Sequence, residues 1–213
     1  MATILIIGAS RGIGLATLKA ALKAGHAVRA LARSAGGIPV TDPHLEKISG
    51  DALDPTTVRT ALQGVDAVIQ TLGVSPSPEM LFNSTRLFSD ATRILVAAME
   101  ECGVKRLICL TGFGAGDSRD HGSFLFNSAF HLFLGRVYSD KDVQEHIIQE
   151  SGLDCVIARP VILTSGPFTG KYRVLVDPRD WRCGFITRAD VADFLVKQIN
   201  DDRYLRRTPV LTS

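Results

Sequence analysis

Three sets of residues in this sequence have types and spacings that do chemistry. The first is Gly8, Gly12 and Gly14 within Ile4-Leu5-Ile6-Ile7-Gly8-Ala9-Ser10-Arg11-Gly12-Ile13-Gly14, where an apolar run of strand length breaks into glycines and becomes helical. Backbone N–H groups left free at such a helix start face an anion, so the stretch reads as a phosphate cradle. Gly8 permits a tight turn, Gly12 lets a pyrophosphate approach the backbone, and Gly14 lets the new helix pack on the strand. The spacing is G-x-x-x-G-x-G rather than G-x-G-x-x-G, and its position between a strand and a helix gives it weight. The bland alternative is a plain strand-to-helix turn.

The second set is Arg33 and Ser34, which follow the strand-like run His26-Ala27-Val28-Arg29-Ala30-Leu31-Ala32. A site for NAD usually carries an acid here for the ribose hydroxyl, whereas a guanidinium presents a planar fork of donors to a 2'-phosphate. Arg33 therefore favours NADP(H), with Arg11 as a second contact; an ordinary solvated charge is the alternative. The third set is Tyr138 and Lys141, three apart on one face of a helix predicted over about 138–150. A neighbouring cation favours the phenolate, so the pair is expected to lower the Tyr138 pKa and let it act as a general acid toward a carbonyl. A solvated helix face is the competing reading.

The elements that must hold these residues alternate strand and helix throughout. Leu15, Leu18 and Leu22 lie on one face of a first helix closed by Gly25. A short strand at Glu46–Ser49 ends at Gly50-Asp51-Ala52, where Asp51 is placed to reach an adenine amine. Asp54-Pro55 starts a helix running to Gly64, with Asp54 as its cap. A strand at 65–70 ends at Thr71-Leu72-Gly73, and a loop through Ser75 and Pro78 leads to a helix from about Met80 to Cys102. Strand five, Arg106–Leu110, ends at Thr111-Gly112-Phe113, and strand six, Leu153–Ala158, ends at Arg159-Pro160. Thr187 caps a last helix over 188–200, and a strand at 209–211 closes the chain. This pattern predicts an α/β fold: a single-domain, doubly wound parallel sheet in three α/β/α layers, the Rossmann arrangement, with order 3-2-1-4-5-6. Residues 1–213 are read as one NAD(P)-binding domain with substrate-side loops at about 112–137 and 160–186.

Composition agrees with a compact core and a small-molecule partner. The chain has 213 residues, 46% of them hydrophobic, and 24 basic against 22 acidic residues leave a charge of +2. Without a Lys/Arg run it carries no nucleic-acid stripe, and no apolar stretch is long enough to span a membrane. Cys102, Cys109, Cys155 and Cys183 form no C-x-x-C pair and read as reduced core thiols in a cytoplasmic protein. His121, His131 and His146 lack ligand spacing, so no metal is expected. Five of the ten phenylalanines fall between Phe113 and Phe133, a segment that reads as a lid, a dimer face or a satellite core.

The Gly8–Gly14 loop, Arg33, Gly50-Asp51, Leu72-Gly73, Val96-Ala97-Ala98-Met99, Glu150-Ser151-Gly152-Leu153 and Pro167–Tyr172 resemble the atypical short-chain dehydrogenase/reductases with an NAD(P)H-binding, NmrA-like domain. The likeness runs closest to the biliverdin IX-beta reductase/flavin reductase proteins and covers nearly the whole chain. It implies that Gly8, Ser10, Arg11, Gly12, Ile13, Gly14, Arg33, Asp51, Leu72, Gly73, Thr111 and Gly112 line NADPH, with Ser34, Ala52, Lys141 and Pro160 beside them. Phe113, Ile162 and Phe168 would border a flat substrate stacked over the nicotinamide, positioning being the main catalytic effect. Gly112 stands where a Ser is common in those reductases, and the Tyr138–Lys141 spacing is three rather than the four of Tyr-dependent dehydrogenases. The expected activity is hydride transfer from NADPH to a flavin, tetrapyrrole or quinone by a monomer or weak homodimer. A non-enzymatic NADP(H) redox sensor and a Tyr-dependent carbonyl reductase are the alternatives.

Overall fold

The computed structural model describes residues 1–74, 86–121 and 124–213, and their side chains save those of 119–121 and 124–134. Strand β1 (Thr3–Ile7) occupies the middle of the sheet because its apolar residues are buried on both faces. Ile4 and Ile6 point to one side with Val28, Ala30, Ile69, Ile108 and Val156, while Leu5 and Ile7 point to the other with Leu31, Val68, Leu107 and Cys109. Coverage on both faces is why these strands read as unbroken apolar runs rather than alternating ones. Each such Ile or Leu, fully buried, contributes roughly 1.5–3 kcal/mol of hydrophobic free energy.

The other elements in chain order are α1 (Gly12–Lys23), β2 (Ala27–Ala32), β3 (Leu45–Ser49), α2 (Pro55–Leu62), β4 (Ala67–Gln70), α3 (Leu87–Cys102) and β5 (Arg106–Leu110). They are followed by α4 (Phe124–Glu150), β6 (Asp154–Pro160), β7 (Ile162–Thr164), β8 (Arg173–Leu175), β9 (Phe185–Thr187), α5 (Arg188–Lys197) and β10 (Val210–Thr212). The main sheet runs β3-β2-β1-β4-β5-β6-β10-β8, parallel except for β8, which is antiparallel to β10. Its first six strands have the expected order. Helices α1 and α5 pack together over one face, and α2, α3 and α4 over the other, giving the three layers. No helix among the described residues is long and apolar enough to cross a membrane.

Local chemistry fixes the helix ends. The Asp54 carboxylate accepts the N–H groups of Thr56 and Thr57, and Pro55 sets the first turn of α2. Thr187 caps α5 by accepting the Asp190 N–H. Helix α3 is capped from a distance: Asp140 of α4 accepts the Phe88 N–H at 2.8 Å. Asp190 is buried and ties the Thr169–Gly170 turn to α5 through both of those N–H groups and the Thr169 hydroxyl.

Several expectations change. Helix α4 begins at Phe124 rather than near Tyr138, so 124–137, expected as a substrate-side loop, is helical. The stretch 160–186, also expected as a loop, contains β7 and β8 and leads into β9, with β7 and β9 paired as a separate two-stranded sheet. Strands of three residues are too short to show an alternation. Cys109 and Cys155 are buried, but Cys102 and Cys183 are exposed, because they lie at a helix end and in a loop rather than within the core. The expected loop from Ser75 to Pro78 and the start of the helix near Met80 lie outside the described residues, as do the side chains of His121, His131, Phe124, Phe126, Phe130 and Phe133.

Candidate functional site

The cleft begins where β1 turns into α1. Gly8 has φ +89°, and a Cβ there would lie 2.8 Å from the Thr71 carbonyl oxygen. Gly14 is more constrained: its Cβ would sit 2.1 Å from the Gly8 carbonyl oxygen and 2.7 Å from the Thr71 hydroxyl. Gly12, at φ +58°, faces open space. Thus Gly8 and Gly14 let strand, loop and helix close up, while Gly12 leaves room above them. Arg11 is the cap residue of α1, no side chain caps that first turn, and no acid lies within it. The N–H groups there are left for an anion, and the helix dipole favours one.

Because β1 lies between β2 and β4, the chain leaves the sheet in opposite directions on its two sides, and a crevice opens at the carboxyl ends. It is a cleft of about 640 Å3, within the range of small-molecule sites. Gly8, Ser10, Arg11, Gly12 and Ile13 line it, together with Arg33 after β2, Asp51 and Ala52 after β3, Leu72 and Gly73 after β4, Thr111 after β5, and Tyr138 and Lys141 from α4. Arg33 and Arg11 are exposed at this wall. A second, smaller cavity of about 210 Å3 adjoins it, lined by Gly112, Phe113, Pro160, Val161, Ile162, Leu163 and Cys183. The two share Thr111, Tyr138 and Leu163.

Three expected residues are placed elsewhere. Gly14 lies beneath the cleft between Gly8 and Thr71. Ser34 is exposed and lines neither cavity, and Phe168 is exposed with its ring against Gly170. Sequence reasoning passed over Leu31, Ala32, Leu53, Val74, Leu87, Phe88, Leu110, Val137, Leu163 and Arg188 in the larger cleft, and Val161 and Cys183 in the smaller. For most of these the types carry no signal. Arg188 does: a cation in the first turn of a helix opposes the dipole, and its guanidinium instead reaches back to donate to the Ser165 hydroxyl at 2.9 Å.

At the inner end of the cleft the polar groups converge on Thr111. Its carbonyl accepts from the Lys141 ammonium at 2.9 Å, and its hydroxyl donates to the Glu145 carboxylate at 2.6 Å. Lys141 is buried, 4.5 Å from the centroid of the Phe88 ring. That burial pulls its pKa down from 10.5 to about 8, against the pull of Glu145 and Asp140. Tyr138 corrects an expectation. Burial, and next the Glu145 charge, push its phenol up to about 12 rather than down, because loss of water disfavours the phenolate. Its hydroxyl occupies the space a side chain at Gly112 would need: a Cβ there would be 2.7 Å from the Tyr138 oxygen. The glycine and the tyrosine are therefore one packing solution.

Comparison with known proteins agrees with this geometry. A family model described as NAD(P)H-binding matches residues 8–202. The uncharacterized sugar epimerase YhfK of Bacillus subtilis is 29% identical over 160 residues, which cover 74% of this chain and 68% of that protein. Sterol demethylase protein B of Methylococcus capsulatus is 30% identical over 178 residues, 78% of this chain and 52% of the relative, so the chain spans about half of that protein. Among solved structures, ChuY, an anaerobillin reductase from Escherichia coli O157:H7, is similar with a TM-score of 0.81 at 28% identity, covering 99% of this chain and 96% of that one.

Proposed function

The chain belongs to the NAD(P)H-binding family and is an NAD(P)H-dependent reductase in kind; on that premise we propose that it takes NADPH and reduces a flat acceptor such as a flavin, tetrapyrrole or quinone. The observation that carries this reading is the continuity of the two cavities, a long cleft over a glycine cradle running through Thr111 and Tyr138 into a small, mostly apolar pocket.

NADPH bound in the cleft supplies the hydride. The N–H groups of the first turn of α1 hold its pyrophosphate, and Arg33 with Arg11 holds the 2'-phosphate. Asp51 and Ala52 take the adenine end, and Gly73 keeps the middle of the cleft clear. Lys141, anchored on the Thr111 carbonyl, fixes a cation at the reducing end. Phe113, Val161, Ile162 and Leu163 orient the acceptor and exclude water. Raised to about 12 by burial, the Tyr138 phenol keeps its proton at neutral pH and serves as a hydrogen-bond donor and packing surface, a weaker proton donor than an ordinary phenol. We assign the whole chain to one domain, working as a monomer or weak dimer in the cytoplasm.

The test is NADPH oxidation by the purified protein with FMN, riboflavin, biliverdin and a quinone in parallel, with NADH as control. Turnover with a flat acceptor and preference for NADPH is the expected result. Tight NADPH binding with no turnover would replace this reading by that of a redox sensor.

A further inference from the structure

Behind Thr111 lies a group of charges that the reading above does not use. Glu145 and Arg159 are charged residues buried to 2% and 1% exposure. One Glu145 oxygen accepts from the Thr111 hydroxyl and from Arg159 Nε at 3.0 Å; the other accepts from Arg159 Nη2 at 2.5 Å. The remaining Arg159 nitrogen pairs with Asp117 at the surface, and the guanidinium lies 5.4 Å from the centroid of the Trp181 ring. Room for the pair is made by Gly116, where a Cβ would fall 2.5 Å from both Arg159 Nη2 and Glu145 Oε2. Charges thus alternate from Asp117 through Arg159 and Glu145 to Lys141.

We propose that Glu145 is a positioning residue for hydride transfer, holding the Thr111–Gly112 floor in place and keeping the Lys141 ammonium charged against the cleft; the proposal rests on the reductase reading. A buried ion pair contributes little net stability compared with apolar residues of the same volume, so its use here is geometric. Thr111 is fixed at each polar group: its N–H on the Ala158 carbonyl, its carbonyl by Lys141, its hydroxyl by Glu145. The arrival of hydride places negative charge on the acceptor, and a cation already in position stabilises that charge without reorganisation. Arg159 does not release its proton at neutral pH, so the back of the network is closed and Lys141 exchanges protons through the cleft alone. The groups that face Lys141 are Tyr138, Asp140 and Glu145 on its own helix, Cys109 and the Thr111 carbonyl from β5 and its end, and the Phe88 ring from α3. Of these, Glu145 is the acid that is also tied to Thr111.

The experiment uses the full chain carrying 13Cε-lysine, in which the Lys141 signal, identified by its loss in Lys141→Met, reads the charge of that amine without turnover. Glu145→Gln is expected to lower the Lys141 midpoint by about one pH unit. The alkaline limb of the kcat profile should move with it, the KM for NADPH should change little, and Glu145→Asp should restore part of both. A folded Glu145→Gln protein with an unmoved midpoint overturns the proposal. So does a kcat lowered equally at every pH, which is what a merely structural role gives. If Glu145→Gln does not fold, Thr111→Val decides, since it leaves the Glu145–Arg159 pair intact. A kcat loss of about tenfold with Lys141 still titrating near its wild-type midpoint is then expected, and wild-type kcat overturns the proposal. Absence of turnover in the wild type would remove the reductase reading, while the Lys141 midpoint would still decide whether Glu145 controls that charge.

Discussion

Replacing Lys141 by Met exchanges a buried ammonium for an apolar side chain of similar length, and the structure gives the sign of the effect. Burial brings the amine from 10.5 to about 8. At about 1.4 kcal/mol per pH unit, that shift corresponds to a burial penalty on the order of 3 kcal/mol. Against it stands the Thr111 carbonyl, which loses its donor at a cost of about 1–2 kcal/mol. Lys141→Met should therefore be more stable than the wild type by about 1–2 kcal/mol at pH 7, or about 2–8 °C in Tm for a chain of this size. The penalty falls on the folded protein because its pKa is below the unfolded value. It is fully present below pH 8, fades as the pH rises through about 8 toward 10.5, and is gone where both states are neutral. Urea unfolding of both proteins at pH 7 and near pH 10.5 reads this directly, and kcat for NADPH oxidation should fall by tenfold or more in the variant. A variant less stable than the wild type at pH 7, or an advantage that persists unchanged near pH 10.5, would refute the reasoning.

Two further outcomes follow from the same geometry. Arg33→Asp should weaken NADPH binding at least tenfold, about 1.4 kcal/mol, and shift preference toward NADH; titration of both cofactors checks it, and unaltered preference would move the 2'-phosphate contact elsewhere. Gly112→Ser forces a Cβ to within 2.7 Å of the Tyr138 hydroxyl and should cost about 1–3 kcal/mol. Adding Tyr138→Phe should recover most of that loss in a double-mutant cycle, and strict additivity would show that the two residues do not share the space.

How far the sequence discloses this molecule depends on the range over which each feature is encoded. The order of the first six strands was legible because each is an apolar run bounded by turn residues, and the glycine cradle because its constraints lie within seven residues. Asp54 and Thr187 announced their helices by cap chemistry that is likewise local. Strands β7, β8 and β9 were not legible: three residues cannot show a period, and their pairing joins positions far apart in the chain. The Tyr138 pKa was misjudged for a related reason. The cation at Lys141 is visible three residues away, but the burial that raises the Tyr138 pKa appears only once α4 is packed against α3 and β6. Glu145 and Arg159 lay in plain view as a charged residue in a helix and another at a strand end. Only the folded chain brings a Glu from α4 and an Arg from β6 together under Thr111.

The two halves of the site are built from different materials, and this determines which changes alter which property. The cradle is backbone: Gly8 and Gly14 are required by atoms 2.1–2.8 Å from where a Cβ would stand, so nearly any side chain there damages strand, helix and cleft together. The smaller cavity is walled by side chains, among them Phe113, Ile162 and Leu163, with Ile162 already 42% exposed at its rim. Ile162 lies opposite Phe185 in the β7–β9 pair, and Phe185 is 62% exposed, so that edge is largely open to solvent. Substitutions along it change shape and apolar area at little cost to the core, because exposed positions away from packed neighbours tolerate exchange within about 0.5 kcal/mol. On the proposed reading, acceptor choice varies at the Ile162 rim while cofactor use stays fixed by the glycines, and Thr111, which lines both cavities, is where a change reaches both halves.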